Sequence, residues 1–321
     1  MTRFQMGGYL PLELREGMFY FQGIPGEYIA EVNTGRTAIQ YAIHSLGVHK
    51  VFVPHYYCPD IISMLRGLDI ELLFYHIGED LLPVGVHDEA NAAVILVNYF
   101  GVISKKLLQF SEQFTNVIFD QAHSFFTPPV LKDGVMNVYS CRKFFGVCDG
   151  AYLIGKNLRR MELQQDVSFH RAIHLLKSIE VGTNGAYAES KYNEQELGKA
   201  PLRMSVLTQC ILDGIDYASV EAKRRENFQF LHQQLNDIQE LDGLEENSVA
   251  YMYPLLLNRD IHKELVQEHI YVPLLWSQLM EPEWNGSLEQ KYSACIVPLP
   301  MDQRYNEKQL EKLVQIIKRY V

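Results

Sequence analysis

Cysteine is scarce in this 321-residue chain. The five present, Cys58, Cys141, Cys148, Cys210 and Cys295, are odd in number and form no Cys-x-x-Cys pair. That excludes a disulfide frame and a structural zinc centre, and leaves reduced thiols as the expectation. The eleven histidines form no His-Glu-x-x-His, so no metal is expected. No block of lysine and arginine stands out, and the net charge is −10, which excludes nucleic acid as a partner. The longest apolar stretches lie near residues 92–100 and 249–257. Both are far shorter than the roughly 20 residues of a membrane span, so no membrane partner is expected. The first residues, Met1-Thr2-Arg3-Phe4-Gln5, show no apolar signal core, and a cytoplasmic protein is the expectation. Internal repeats and low-complexity segments are also absent.

What remains is an ordinary globular composition, 47% hydrophobic and 21% charged. The length suits one large domain and a smaller one. From residue 33 the chain alternates helical and strand signals. Thr37–Leu46 has helical apolar spacing, with Gly47 as a stop. Lys50–Pro54 and Glu71–Ile77 read as strands around a helix at Pro59–Leu68. Ala92–Gly101 reads as a strand buried on both faces, and Ser104–Phe114 as a helix capped by Ser104. Strands ending at Asp120 and Ser140 follow, then Ala151–Ile154. This alternation predicts an α/β fold with a mostly parallel, helix-covered sheet. Residues 156–200 carry helical patches and a polar, glycine-containing stretch without a clear period. Met204–Asn236 reads as one or two long helices. Beyond Gly243 the strands Val249–Leu257, Ile270–Leu275 and Cys295–Leu299 and the helices Ile261–Glu268 and Asn306–Tyr320 predict a compact α+β tail. The boundary falls near 243–248, giving a large domain over 1–245 and a small C-terminal domain over 246–321.

The chemistry centres on Lys143, in Ser140-Cys141-Arg142-Lys143-Phe144-Phe145-Gly146. It follows the apolar pair Val138-Tyr139, and Asp120 ends the apolar run Val117-Ile118-Phe119 upstream. In an open α/β sheet the carboxyl edge of the strands is where ligands bind. A lysine there can form a Schiff base, and an acid there can hold a pyridinium nitrogen protonated, so the pair points to pyridoxal 5'-phosphate (PLP). Other residues fit the same cofactor. Asn33-Thr34-Gly35-Arg36-Thr37 is a turn running into a helix. Gly35 would let the backbone approach a phosphate, and Arg36 could add a charge-assisted bond. His123 could bond the ring's phenolic oxygen, and Ser140 the phosphate. In Pro54-His55-Tyr56-Tyr57-Cys58 one of the tyrosines, Tyr56 or Tyr57, could stack on the ring. Each of these residues, taken alone, is as well explained by an ordinary turn, cap or packing role.

Taken in order, the segments NTGRTAIQYAI, VFVPHYYCPDIISMLRGLDIELLFYHI, IFDQAH, SCRKFFGVCDGAYL, LRMSVLTQCILDGIDYASVEAKRRENF and CIVPLPMDQRYNEKQLEKLVQII resemble the DegT/StrS family of PLP-dependent nucleotide-sugar aminotransferases. The resemblance runs over most of the length. It implies a fold of the aspartate-aminotransferase type (fold type I) and a homodimer. It also implies transfer of an amino group, with glutamate as donor, to a keto acceptor on a nucleotide-linked sugar. Lys143 and Asp120 would be the catalytic residues, with His123, Ser140, Gly35, Arg36 and Tyr57 on the cofactor. The chain departs from the family in having Arg36 where many members have threonine, Asp149-Gly150 in place of Glu-Gly, and a serine three rather than five residues before the lysine. It is also shorter before residue 33 and between 156 and 200, where the substrate pocket is shaped. Two other readings stay open: another PLP reaction such as sugar dehydration, and a cofactor-binding protein without turnover. Dehydratases of the family carry histidine in place of the lysine.

Overall fold

The computed structural model describes residues 6–198 and 200–321; Met1–Gln5, expected to lack a signal core, and Lys199, in the polar stretch before Pro201, lie outside them. The strands are β1 (Ile29–Val32), β2 (Lys50–Pro54), β3 (Glu71–Ile77), β4 (Pro83–Val84), β5 (Ala92–Val97), β6 (Val117–Asp120), β7 (Val135–Ser140), β8 (Ala151–Ile154), β9 (Tyr253–Leu256) and β10 (Ile296–Leu299). The first eight form one sheet in the order β1-β8-β7-β6-β5-β2-β3-β4, and β9 and β10 form a two-stranded antiparallel sheet. β3, β2, β5, β6 and β7 run parallel, so the mostly parallel α/β sheet expected from the sequence is the one found. β5 is buried at every residue, as its unbroken apolar run requires.

The helices are α1 (Gly35–Leu46), α2 (Pro59–Arg66), α3 (Ser104–Ser111), α4 (Ile173–Gly185), α5 (Tyr187–Glu196), α6 (Val206–Asp213), α7 (Tyr217–Leu235), α8 (His262–Gln267), α9 (Leu288–Cys295) and α10 (Glu307–Ile317). Residues 156–200, without a clear period in the sequence, hold α4 and α5. The long helical stretch after Met204 is two helices, separated where Gly214 ends α6 and Asp216 caps α7 through Ser219 N–H.

Two features of the topology place a ligand site. The chain steps from β2 outward to β3, then returns so that β5 lies on the other side of β2. That reversal opens a crevice at the carboxyl ends of β2 and β5. β1 pairs antiparallel with β8, and β8 antiparallel with β7, so β1 points the same way as β7. The start of α1 therefore meets the same edge as the ends of β2, β5, β6 and β7.

Three local expectations are corrected. Ala92–Gly101 is not one strand: β5 stops at Val97, and Tyr99–Gly101 is a tight turn with Phe100 at φ 57°. Ser104 does not cap α3; its hydroxyl accepts a hydrogen bond from Asn98 Nδ2 (2.9 Å), and the capping position is Ile103. Ile270–Leu275 forms no strand. Pro273 removes a ladder donor, and the segment runs between His269 and Trp276, which have φ of 60° and 57°. β1, before residue 33, carried no distinct signal in its four residues.

Candidate active site

The cavity at the crevice has a volume of about 300 Å³. Gly35, Arg36, Tyr57, Asp120, His123, Ser140 and Lys143, all singled out in the sequence, line it together.

Asp120 ends β6 and is 3% exposed. Its Oδ2 accepts the Tyr57 hydroxyl at 2.6 Å, and its Oδ1 the Ala122 N–H at 2.9 Å. Burial raises its pKa above the ordinary carboxylate value, opposed by the Tyr57 bond, the Ala122 bond and the attraction of Lys143. Burial favours the neutral acid, and a cation bound beside the carboxylate would reverse that preference. Tyr57 thus faces the cavity with its hydroxyl held by Asp120. Tyr56 turns into the core, where its ring meets Trp276 at 4.2 Å and Tyr99 at 5.3 Å.

His123 is buried, and burial first and Lys143 second push its imidazole down to about 3, so it is neutral at pH 7. The Phe100 N–H donates to Nδ1 at 3.3 Å, which assigns the ring proton to Nε2 and makes it a donor. The turn that aims this N–H needs Gly101: φ is +82°, and a Cβ there would overlap the His123 carbonyl oxygen. The ring is stacked with Tyr251 (4.9 Å, 23°) and with Trp276 (6.2 Å, 26°).

Lys143 closes the one-turn 3-10 segment Cys141–Lys143 that follows β7. Its Nζ sits 4.9 Å from the centre of the Tyr251 ring. The two aromatics after it anchor the turn: Phe144 and Phe145 are buried in a cluster with Phe125, Phe126 and Tyr139, and Phe125 meets Phe145 edge-on at 4.8 Å. Such pairs contribute about 0.5–1.5 kcal/mol beyond their buried area. Gln303 Nε2 donates to the Phe144 carbonyl at 2.9 Å. Arg224, 2% exposed, donates from Nε to Gln303 Oε1 (2.8 Å) and from Nη1 to the Tyr251 carbonyl (3.2 Å), and lies over the Phe144 ring at 4.5 Å. The two residues after the lysine are thereby tied to the aromatic cluster and to Gln303 and Arg224.

The start of α1 is held open. Thr34 caps it, accepting the Thr37 N–H at 3.1 Å, and Asn33 accepts the Thr37 hydroxyl at 2.7 Å. Around Gly35 the space that a Cβ would enter is empty. Arg36, however, turns its guanidinium to Asp60 Oδ2 (3.3 Å) and to the Leu197 carbonyl (3.0 Å). Arg142, also lining the cavity, pairs with Glu194.

Sequence reasoning missed Tyr251, Trp276, Phe100, Arg142 and Glu194. Of these, Trp276 carries a signal in the sequence: it is one of two tryptophans and follows the apolar run Ile270–Leu275, whose composition resembles a strand. A larger cavity, about 640 Å³, lies along β1 beside Glu31, Tyr41 and Arg203. Among the described residues no lysine or histidine lines it, so these offer no amine for carbonyl chemistry.

The donor set of the smaller cavity fits PLP: a strand-end amine, a buried carboxylate that favours a neighbouring cation, and an open helix N-terminus for a phosphate. No family model matches the sequence. No curated protein matches it either. Solved structures do share its fold. The sugar aminotransferase CalS13 from Micromonospora echinospora is 12% identical, with a TM-score of 0.61 over 91% of this chain and 87% of its own. The aminotransferase TlmJ from Streptoalloteichus hindustanus is 16% identical, with a TM-score of 0.61 over 92% of this chain and 86% of its own. Spr1654 from Streptococcus pneumoniae, in its PMP form, is 12% identical, with a TM-score of 0.60 over 91% of this chain and 87% of its own. The chain therefore has the fold of these aminotransferase structures.

Proposed function

We propose that the protein is a PLP-dependent aminotransferase that moves an amino group from an amino acid, glutamate in the simplest case, to a keto acceptor of the nucleotide-linked sugar class. The observation that carries this reading is the convergence of Lys143 and Asp120 with the open start of α1 on one cavity. The fold neighbours described as sugar aminotransferases support it, and so does the resemblance of the sequence segments.

In this reading Lys143, Asp120, His123, Ser140, Gly35 and Tyr57 hold the cofactor, and Arg36 lines the site with its guanidinium on Asp60 and the Leu197 carbonyl. Bound PLP would supply an electron sink for the donor's Cα. Asp120 keeps a cationic nitrogen paired in a buried position, where an unpaired charge would cost several kcal/mol. Tyr57 orients that carboxylate. His123 donates from Nε2 to an anionic oxygen. The N–H groups of the α1 start and the Ser140 hydroxyl bind phosphate. Lys143 Nζ would take the proton from the donor's Cα as general base and deliver it, as general acid, to the carbon on the far side of the transferred nitrogen. The large domain spans 1–245 and the small one 246–321, which contributes Tyr251, Trp276 and Gln303. A homodimer in the cytoplasm is part of the same reading.

The test is direct. Purified protein mixed with PLP should develop a visible absorbance band that borohydride removes, leaving label on Lys143. Glutamate with a panel of keto sugars should then give steady turnover. A band without turnover on any amino donor would leave a cofactor-binding protein, and absence of the band would overturn the cofactor assignment.

A further inference from the structure

We propose that Arg142 is the receptor for the donor's carboxylate and that Glu194 occupies that receptor when no donor is bound. The proposal rests on the aminotransferase reading, and it names how that site takes its first substrate.

An amino-acid donor that presents its amine where Lys143 Nζ lies must bring a carboxylate into the same cavity. Among the described residues lining the cavity, the cations are Lys143, Arg36 and Arg142, since His123 is neutral. Arg36 is part of the wall. It is held by Asp60 and by the Leu197 carbonyl, and Gly198, at φ +77°, packs so closely that a side chain there would collide with its guanidinium. Arg142 is different. It stands one residue before Lys143 in the same turn, and its partner is the Glu194 carboxylate, whose side chain is 53% exposed.

Two features make Glu194 replaceable. The exchange swaps one carboxylate for another, so the guanidinium fork keeps a bidentate-capable partner and no buried charge is left alone. And α5 does not depend on the pair for its docking, because neighbouring Asn193, 2% exposed, donates from Nδ2 to the Cys148 carbonyl at 2.9 Å. Released from Arg142, Glu194 can turn to water while its helix stays in place.

Competition makes a prediction about sign that a structural ion pair does not. Glutarate, a five-carbon diacid with no amine to react, serves as the probe, titrated calorimetrically against the PLP-loaded protein. Arg142→Ala should weaken glutarate binding at least tenfold, with Arg142→Lys between it and wild type. Glu194→Gln should tighten binding severalfold, because the competitor's charge is gone. PLP affinity, measured by titrating the PLP-free variants, should stay within twofold of wild type for all three. A Glu194→Gln protein that binds glutarate as weakly as Arg142→Ala, or no better than wild type, overturns the proposal. If Arg142→Ala folds poorly, the sign of the Glu194→Gln shift decides alone. Failure of wild type to form the visible PLP band removes the aminotransferase reading and this proposal with it; a normal band with same-sign shifts removes this proposal only.

Discussion

Asp120 and Asp60 line the same cavity under opposite conditions. Asp120, on the floor, is 3% exposed and takes hydrogen bonds from Tyr57 and Ala122. Asp60, at the mouth, has a side chain 68% exposed and meets one guanidinium. The rest of the floor follows the first pattern: the Phe100 N–H and two stacked rings contact His123, and the turn that carries Lys143 is anchored by buried Phe144 and Phe145. The mouth follows the second, with Arg36–Asp60 and Arg142–Glu194 as partly exposed pairs. Exposed pairs are worth about 0–1 kcal/mol, whereas hydrogen bonds to a buried charge are worth about 1.5–3. The side chains of the floor are therefore held firmly, whereas the pairs at the mouth cost little to separate.

The largest effects should come from the floor. Lys143→Ala should abolish the visible PLP band and reduce turnover to background, measured by spectrophotometry and a coupled assay. Full turnover in that variant would remove Lys143 from the chemistry. Asp120→Ala should fold, and should still bind PLP through Lys143, but lose transamination by two or more orders of magnitude, since removing a charge-stabilising partner of about 3–4 kcal/mol has that consequence. Asp120→Glu should retain part of the rate. A wild-type rate in Asp120→Ala would leave Asp120 as a turn residue only.

This floor was largely legible in the sequence, and for a physical reason. Asp120 and Lys143 each follow an apolar run, and in a parallel sheet the ends of such runs come to one edge. The parallel strands themselves were clear because burial on both faces makes their sequences continuously apolar. What the sequence did not show lies in segments whose partners are distant. Tyr251 and Trp276 reach the site from beyond residue 243, through contacts with His123 that no local period encodes. Phe100 was absorbed into the strand before it, because its left-handed backbone leaves no mark on an apolar run. The direction of Arg36 depends on the turn at Leu197–Gly198, 161 residues away from it in the case of Leu197, so its spacing in the helix start could not reveal where its guanidinium points.

A smaller effect tests how the floor is held. The His123 imidazole titrates at about 3 in the folded protein and near 6.5 when unfolded. Between those values the unfolded state binds a proton that the folded state does not, so stability rises with pH across the window and falls as pH drops from about 6.5 toward 3. The slope from this residue is at most about 1.4 kcal/mol per pH unit. His123→Gln should flatten that part of the stability–pH curve measured by urea unfolding of the PLP-free protein. An unchanged slope would mean that other groups carry the acid sensitivity. Gly101→Ala should lower stability at all pH values, by on the order of 1–3 kcal/mol for a strained backbone, and should disturb the Phe100–His123 bond as well.

Arg36 should give the smallest effect, and it separates mouth from floor most finely. Its place in the α1 start suits a phosphate, and a direct bond to one would make Arg36→Ala weaken PLP binding by about 1.5–3 kcal/mol. The geometry points to less. The guanidinium is already used by Asp60 and the Leu197 carbonyl, while the backbone N–H groups of α1 and Ser140 remain for the phosphate. The expected loss in PLP affinity is therefore no more than about 1 kcal/mol, the range of an exposed pair. Pyridoxal, which lacks the phosphate, should bind wild type and Arg36→Ala equally. Asp60→Ala distinguishes the remaining alternative. If the pair only braces the wall, Arg36→Ala and Asp60→Ala should have similar small effects on PLP. If Arg36 swings to the phosphate once the cofactor arrives, Asp60→Ala should leave PLP affinity intact or raise it, while Arg36→Ala lowers it tenfold or more and spares pyridoxal. Equilibrium titrations of the two variants with PLP and pyridoxal tell these apart, and a tenfold loss confined to PLP would move Arg36 from the mouth to the floor.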